Sequence, residues 1–257
     1  MDRDIPLLEF DTAKQAIIEP NLVIKGKSPS EYCVLTFFGK VVRKLIDEKK
    51  LEIVEELFLP APLTVPSYLY RLEFEGKILT VAHPGIGASL AAGSLEDLIA
   101  LGCRKFVACG TAGVLKSELN LGSVIIVDSA VRDEGTSYHY CPPSREIPAD
   151  EKVVKKLEKV LVKHNVSHSI GKTWTTDGFY RKTKAKVAKR AGEGCVAVDM
   201  EASALIAVAA FRGVPFGQYL MACDDVSGDA WDPRYVNNRI SSDEKVFWLA
   251  VEACLSL

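Results

Sequence analysis

The sequence lacks the features that place a protein in a membrane or on nucleic acid. Its 257 residues contain no apolar run near twenty residues, and no basic N-terminal segment leads into an apolar one. We therefore predict neither a membrane-spanning helix nor a signal peptide. With 32 basic and 34 acidic residues the formal net charge is −2. Such a balance supplies no basic surface for nucleic acid or anionic lipid.

The sequence also lacks the spacings of a metal site or a disulfide framework. The seven cysteines are odd in number, and no two are spaced Cys-x-x-Cys. The four histidines show no metal-ligand spacing either. Most cysteines lie in apolar, strand-like segments, so we interpret them as reduced thiols in the core of a cytoplasmic protein. We predict no metal and no bound cofactor.

What the chain does have is an alternation of short apolar segments with helical ones. The predicted strands span 33–38, 68–74, 77–82, 104–109, 122–131, 169–176, 195–198 and 215–223, and the predicted helices 39–50, 90–101, 150–164, 182–191, 200–211 and 243–255. Prolines punctuate residues 1–32, which we expect to form an irregular N-terminal arm. No linker divides the chain, so 1–257 is predicted to be a single-domain, three-layer α/β/α fold with a central mixed, partly closed sheet.

The stretch 198–205 is the centre of the predicted chemistry. Asp199 follows an apolar strand at a helix N-cap position, and the helix after it is apolar nearly all round. Glu201 is therefore expected in the first turn of a buried helix, where the helix dipole favours a carboxylate but burial is costly without donors. By position alone, Glu201 is either a capping acid or an acceptor for ligand hydroxyls.

Ligands in such folds bind where loops leave the carboxyl ends of strands. The segments expected there, besides the helix start at 199–201, are 83–89, 110–113, 177–180 and 224–229. Together with the loop 132–140 they contain the motifs PGIGAS (84–89), GTAG (110–113), RDEGTSYHY (132–140), DGFY (177–180) and VDME (198–201). In this order and spacing they resemble the purine/uridine nucleoside phosphorylase family, which also contains hydrolytic nucleosidases. The resemblance runs from about residue 34 to residue 257 and implies a nucleoside phosphorylase-like fold.

The resemblance implies roles for individual side chains. Glu201 would accept hydrogen bonds from the ribose 2′- and 3′-hydroxyls, since a carboxylate serves both at once, and would face the positive charge that develops on the sugar. Met200 would pack beneath the sugar and Phe179 would stack on the base, although both side chains also suit an ordinary core. The other substrate-binding residues that it implies are Gly87, Gly110, Thr111, Gly113 and Arg132.

The signals for the base are mixed. Asp224 falls where purine-specific members place a general acid, a role that needs a raised pKa, and its apolar lead 219–223 would supply the desolvation. Asp225 is the alternative acid, or a solvated turn residue. Uridine-type members use a Gln and an Arg after the stacking Phe, and that Gln is missing here, whereas 132–140 is uridine-like. Arg132 and His139 have the alternative role of holding their own loop.

The family's phosphate-binding residues are replaced. Phe37 stands where the family's phosphate loop has a glycine, and Val41 and Ala108 stand where it has arginines. A further arginine, which a neighbouring subunit donates in the family, falls near Val65. Because guanidinium donors supply most anion binding, we expect phosphate affinity in the millimolar range or weaker. Arg132 is the predicted substitute donor, with Lys40 next. Glu134 is the one acid near enough in sequence to be considered for activating water.

Three functions follow from these observations. We expect a nucleoside phosphorylase, which implies a nucleoside and phosphate as substrates and a homo-oligomer, dimer or hexamer. The alternatives are a phosphate-independent nucleosidase and a non-catalytic nucleoside-binding protein. The two enzymes are favoured by the presence of Glu201, Met200, Phe179 and Asp224, because a non-catalytic binding protein does not need an acid to protonate the leaving base. The missing arginines favour the alternatives to phosphorolysis.

Overall fold

The computed structural model describes residues 5–57, 67–234 and 240–257. The strands are β1 (Tyr32–Thr36), β2 (Leu51–Leu57), β3 (Ser67–Phe74), β4 (Lys77–Ala82), β5 (Lys105–Val114), β6 (Val124–Asp133), β7 (Glu146–Pro148), β8 (His168–Thr176), β9 (Cys195–Asp199) and β10 (Phe216–Asp225). The helices are α1 (Pro20–Val23), α2 (Gly39–Asp47), α3 (Ala88–Ala100), α4 (Glu151–Lys163), α5 (Lys184–Gly192), α6 (Ala202–Arg212) and α7 (Ile240–Leu255). Short 3₁₀ turns occur at Pro6–Leu8, Thr136–His139 and Phe179–Arg181.

All ten strands belong to one mixed sheet that is closed over part of its extent. Strands β5, β10, β6, β8 and β9 pair in that order, and β9 pairs back to β5, which closes the five strands on themselves. From β5 the sheet continues as an open part in the order β1, β4, β3, β2. The predicted central mixed, partly closed sheet is therefore confirmed.

Strand β5 is the fork between the closed and the open part. Its first half, Lys105 to Cys109, pairs in parallel with β1, whereas Gly113 and Val114 pair with β9 on the same edge. Strand β10 pairs along the other edge through Ala112. Between Cys109 and Gly113, β1 has ended and β9 has not begun, so the backbone there faces an opening. The predicted site motif 110–113 lies in this opening.

Helices cover both faces of the sheet, which confirms the three-layer α/β/α arrangement. On one face the small and aliphatic side chains of α3 and α6 pack on Cys33, Leu35 and Ala108. On the other face α2, α4 and α7 pack on Val34 and Val107. Neighbouring residues of β1 thus belong to opposite cores, as the alternation of a strand buried on both sides requires.

Each predicted element is present, with three corrections. Residues 110–113 do not form a loop: they continue β5, because β10 pairs alongside them. Helix α6 begins at Ala202 and not at residue 200, so Glu201 occupies the N-cap. The N-terminal arm contains the helical turns Pro6–Leu8 and Pro20–Val23. Strands β2 and β7 were not predicted. In the described parts of the chain no helix has the length and apolarity to cross a bilayer.

Candidate active site

The opening beside the fork leads into a cavity of about 200 Å³. It is lined by Phe37, Ile86, Gly110, Thr111, Ala112, Gly113, Phe179, Lys182, Val198, Asp199, Met200, Glu201, Gln218, Leu220 and Asp224. These residues come from the second half of β5, from β10, from the end of β9, and from the segments that follow β1, β4, β8 and β9. A wider surface groove beside Trp248 contains none of the predicted site residues.

The cavity brings together most of the side chains that the sequence predicts. Seven of them line it: Gly110, Thr111, Gly113, Phe179, Met200, Glu201 and Asp224. Gly87 joins them through its backbone, because its N–H donates to Glu201 Oε1 at 2.7 Å. Gly87 has a φ of 101°, a conformation that favours glycine, and this turns its N–H toward the carboxylate.

Glu201 is held by its backbone surroundings and keeps acceptor capacity for a ligand. Its side chain is 7% exposed, and Oε1 takes the Gly87 N–H. Burial, and next the charge of Asp199, raise the pKa of Glu201 to about 7. A ligand with two adjacent hydroxyls supplies the donors that this buried carboxylate needs in its ionised form.

Both carboxylate oxygens of Asp199 accept hydrogen bonds that help to position Glu201. Its Oδ2 accepts the backbone N–H groups of Glu201 and Ala202 at 2.8 and 2.6 Å. Its Oδ1 accepts the hydroxyls of Thr173 and Thr175 at 3.0 and 2.9 Å. Asp199 therefore caps α6 from two residues before the N-cap and ties the helix start to β8. Burial is the main reason that its pKa is raised.

Asp224 and its neighbour Asp225 are separated by their partners. Asp224 lines the cavity, and its Oδ2 accepts the indole N–H of Trp231 at 2.8 Å. Asp225 instead pairs with Arg234 at 2.6 Å and accepts the backbone N–H of Ser227. The pKa of Asp225 is lowered by these bonds even though burial opposes it. Asp225 thus holds its own loop, and Asp224 is the one of the two that lines the cavity.

Lys182 is a site residue that the sequence analysis did not select. Its ammonium lies 4.3 Å from the centre of the Phe179 ring and lines the same cavity as Asp224. Burial lowers the pKa of Lys182, while the charges of Asp224 and Asp199 oppose that shift. Phe179 is 52% exposed. The Lys182 ammonium and the Phe179 ring therefore lie at the same end of the cavity as Asp224. We call this end the base end.

The opposite end is shaped by Phe37. Its ring lies on Gly110, so close that a Cβ at residue 110 would be 3.0 Å from the ring. Gln218 lines the same cavity, pairs across the sheet with Ala108, two residues before Gly110, and has a side chain that is 1% exposed. We call the part lined by Phe37, Gly110 and Gln218 the inner end. A polar residue inside the apolar strand 215–223 was the one sequence signal for Gln218.

The structure places Arg132 away from the cavity. Its side chain is 4% exposed and donates to Ser137 Oγ, Ser144 Oγ and the carbonyl oxygens of Pro142 and Cys141. All its nitrogens hold the loop 132–148, so we withdraw it as the substitute phosphate donor. The alternative role, holding its own loop, agrees with these contacts.

Other predicted groups also lie elsewhere. Lys40 is exposed and does not line the cavity. Glu134 is buried, and its carboxylate accepts the Ser137 N–H and the Ser203 hydroxyl. Val65 falls outside the described residues. Among the residues that are described, no three His, Cys, Asp or Glu side chains are grouped to hold a metal ion.

Comparison with known proteins identifies the family. The family model described as the phosphorylase superfamily matches residues 31–251. The chain belongs to the phosphorylase superfamily. Among members of this superfamily, the guanosine phosphorylase of Halorubrum lacusprofundi is 27% identical over 176 residues, which are 66% of this chain and 72% of that protein. The uridine phosphorylase of Salmonella typhimurium is 26% identical over 162 residues, 58% of this chain and 64% of that protein, just under two thirds of its length.

The fold is shared with a solved member of the superfamily. The crystal structure of uridine phosphorylase from Vibrio fischeri superimposes with a TM-score of 0.68 at 23% identity and covers 90% of this chain and 95% of that one. The resemblance stated from the motifs is therefore confirmed at the level of family and fold.

Proposed function

We propose that this cavity cleaves the N-glycosidic bond of a nucleoside. The observation that carries the proposal is the pairing of two carboxyl groups across one small cavity: buried Glu201, fixed by the Gly87 N–H, and Asp224 at the base end. The names of the guanosine and uridine phosphorylases that resemble the chain support it. A non-catalytic binding role has no use for the second acid.

The geometry supports a division of labour along the nucleoside. Glu201 accepts from the sugar hydroxyls and stabilises the positive charge that builds on the sugar as the bond stretches. Met200 lines the sugar region and Phe179 presents its face to the base. The electron pair of the broken bond stays on the base, and Asp224 delivers a proton there. Lys182 adds a positive charge at the same end.

Asp224 supports a purine as the leaving base. A purine leaves more readily when a ring nitrogen receives a proton, and a carboxyl group beside the base supplies it. The Gln that uridine-type members carry after the stacking Phe is absent from 179–183. We therefore propose a purine nucleoside, with uridine as the comparison substrate.

Phosphate is the first candidate for the nucleophile, because the relatives are named phosphorylases. Water is the second candidate, and a specific observation favours it. Of the described residues that line the cavity, Lys182 is the only cationic one, and it lies at the base end. The inner end presents the Phe37 ring on Gly110, which offers no charge to a phosphate dianion.

The test is a panel of purine and pyrimidine nucleosides, each incubated with and without phosphate. Release of the free base shows cleavage, and the sugar product identifies the nucleophile: ribose 1-phosphate for phosphate, ribose for water. Matched samples of Glu201→Ala exclude a contaminating enzyme. If no nucleoside is cleaved under either condition, the proposed function is wrong.

A further inference from the structure

The Gln218 carboxamide is the least explained polar group in the cavity. The side chain is 1% exposed, and neither Oε1 nor Nε2 has a hydrogen-bond partner within the described residues. It lines the same cavity as Glu201 and Asp224. Buried amides in folded proteins are nearly always hydrogen-bonded, because an unmade bond carries the full desolvation penalty. Both atoms of Gln218 are therefore available to a bound ligand.

The register of the sheet explains why this amide points to the inner end. Gln218 on β10 pairs with Ala108 on β5, and Leu220 pairs with Gly110. Side chains two apart on a strand share a face, so Gln218 and Leu220 both reach the cavity. Tyr219 between them points the other way, and its hydroxyl donates to the Leu157 carbonyl oxygen.

The chemistry of an amide differs from that of the arginine that Ala108 replaces. A carboxamide presents one donor group and one acceptor oxygen and carries no charge. A hydroxyl or a water molecule satisfies both, since it accepts from Nε2 and donates to Oε1. A phosphate dianion can satisfy both as well, through its oxygens and its one hydroxyl, but it also brings a double charge into the site. The Phe37 ring, which packs on Gly110, gives no compensation for burying that charge.

We propose that Gln218 binds the attacking water of a hydrolytic cleavage. This inference rests on the proposed function and names its nucleophile. The water oxygen bonds to the anomeric carbon, the carbon–nitrogen bond breaks, and its electron pair stays on the base nitrogen. One water proton remains on the new sugar hydroxyl, and the other balances the proton that the base receives through Asp224. The products are free ribose and free base.

The experiment uses the full-length protein and two variants of this residue. Gln218→Met fills the same space without a donor or an acceptor, and Gln218→Glu keeps an acceptor and, when protonated, a donor. Tyr219→Phe is the matched control, since it removes one buried hydrogen bond from the same strand on the face away from the cavity. Each protein is assayed in phosphate-free buffer for kcat and KM, and circular dichroism checks that it is folded.

We expect the wild type to release ribose without phosphate. Gln218→Met should lower kcat by about 10- to 100-fold, the range for losing a hydrogen bond to a buried group. Gln218→Glu should lose about tenfold or less, and Tyr219→Phe should stay close to the wild type. Methanol added as a competing neutral nucleophile should yield methyl riboside, at a ratio to ribose that Gln218→Met changes.

Several outcomes would overturn the inference and leave the proposed function standing. Cleavage that requires phosphate and yields only ribose 1-phosphate would do so, and so would equal kcat in the wild type and both Gln218 variants. A rise in KM with kcat unchanged would assign Gln218 to a sugar hydroxyl and not to water. If the wild type cleaves no nucleoside at all, both proposals fall together.

Discussion

Two carboxyl groups in one cavity have different neighbours, and the difference suits different tasks. Glu201 is buried near Asp199 and is held by backbone hydrogen bonds from Gly87 and Met200. Asp224 lies at the edge of the cavity, where the exposed Trp231 indole donates to it. In the proposed function the buried carboxylate accepts from the sugar, and the carboxyl group at the cavity edge is the one beside the base.

Replacing Glu201 tests the sugar role. Glu201→Ala should reduce kcat/KM for any nucleoside substrate by an amount equivalent to about 2–5 kcal/mol, because it removes a charged acceptor from a buried diol. Steady-state kinetics measure the loss, and the melting temperature shows whether the fold is retained. Turnover like that of the wild type would contradict the assignment.

The raised pKa of Glu201 predicts the pH dependence of nucleoside binding. Its pKa is about 7, and hydroxyl donors bind the ionised form better than the protonated one. Affinity should therefore rise about tenfold per pH unit as the pH increases toward 7, and level off above it. Calorimetric titration between about pH 5.5 and about pH 8 measures this, and Glu201→Gln should flatten the profile. An unchanged slope in that variant would assign the effect to another group.

Asp224→Asn tests the general acid. The variant keeps the shape of the side chain and an acceptor for the Trp231 N–H but cannot transfer a proton. It should slow cleavage of inosine by about 100-fold or more, the range of general acid catalysis. A nitrophenyl riboside should lose far less, because its leaving group needs no proton. Equal losses on the two substrates would exclude the role.

At the residue level, motif spacing identified the site residues whose positions follow from the local sequence. Glu201 lies two residues after β9, and Asp224 is the last but one residue of β10, so their place near a strand end could be predicted. Gln218 could not, because its importance depends on the register that sets it opposite Ala108. The prediction that Arg132 binds phosphate was wrong, because the loop after it folds back and accepts the hydrogen bonds of its guanidinium group.

At the scale of secondary-structure elements, the start of α6 is held by one side chain. Asp199 accepts two backbone N–H groups and two threonine hydroxyls, and three of these donors are fully buried. The helix itself is almost entirely Ala, Leu, Ile and Val and buries most of its residues. Its position, and with it the position of Glu201, depends on this cap.

Removing the cap should destabilise the protein. Asp199→Ala leaves four donors without their acceptor, so we expect the free energy of unfolding to fall by about 2–5 kcal/mol in urea titration. The matched control is Asp150→Ala, which removes an exposed cap that accepts one N–H from Lys152 at the start of α4. That variant should cost about 1 kcal/mol. Equal losses would show that the buried network adds nothing.

Strand β5 shows why one element was predicted too short. Gly110-Thr111-Ala112-Gly113 has the composition of a turn, yet the chain stays extended along β10. The glycines serve close approach instead: Phe37 packs on Gly110, and Val198 and the Asp224 carboxylate lie within 3.4 Å of a Cβ placed at Gly113. Whether such a segment is a turn or a strand with closely packed glycines depends on the neighbouring strands, which are distant in sequence.

At the scale of the whole molecule, the closed and open parts of the sheet should differ in protection. Tyr219, Leu220 and Met221 pair with β5 on one side and β6 on the other. Strand β2, at the end of the sheet order, pairs only with β3 among the residues that the structure describes.

Hydrogen exchange followed by mass spectrometry should show this difference. We expect peptides from 216–225 to exchange slowest and peptides from 51–57 much faster, because an edge strand opens without disturbing the closed part. Uniform protection across the sheet would contradict the prediction. The alternation of strands and helices predicted the layers of this fold, but the order of strands rests on pairings between residues far apart, which no local pattern records.

The fork in β5 also determines how the cavity can change size. The gap is the stretch between the last residue paired with β1, Cys109, and the first paired with β9, Gly113. Strand β5 itself runs unbroken along β10 through this gap, so the length of the opening is fixed by the number of β5 residues between its two partners. A substrate held at Glu201 beside β9 therefore meets a frame whose span is set by the backbone. Redesign for a larger or smaller substrate should begin at the side chains that line this frame, because a change in the span itself would require residues to be inserted into or removed from β5.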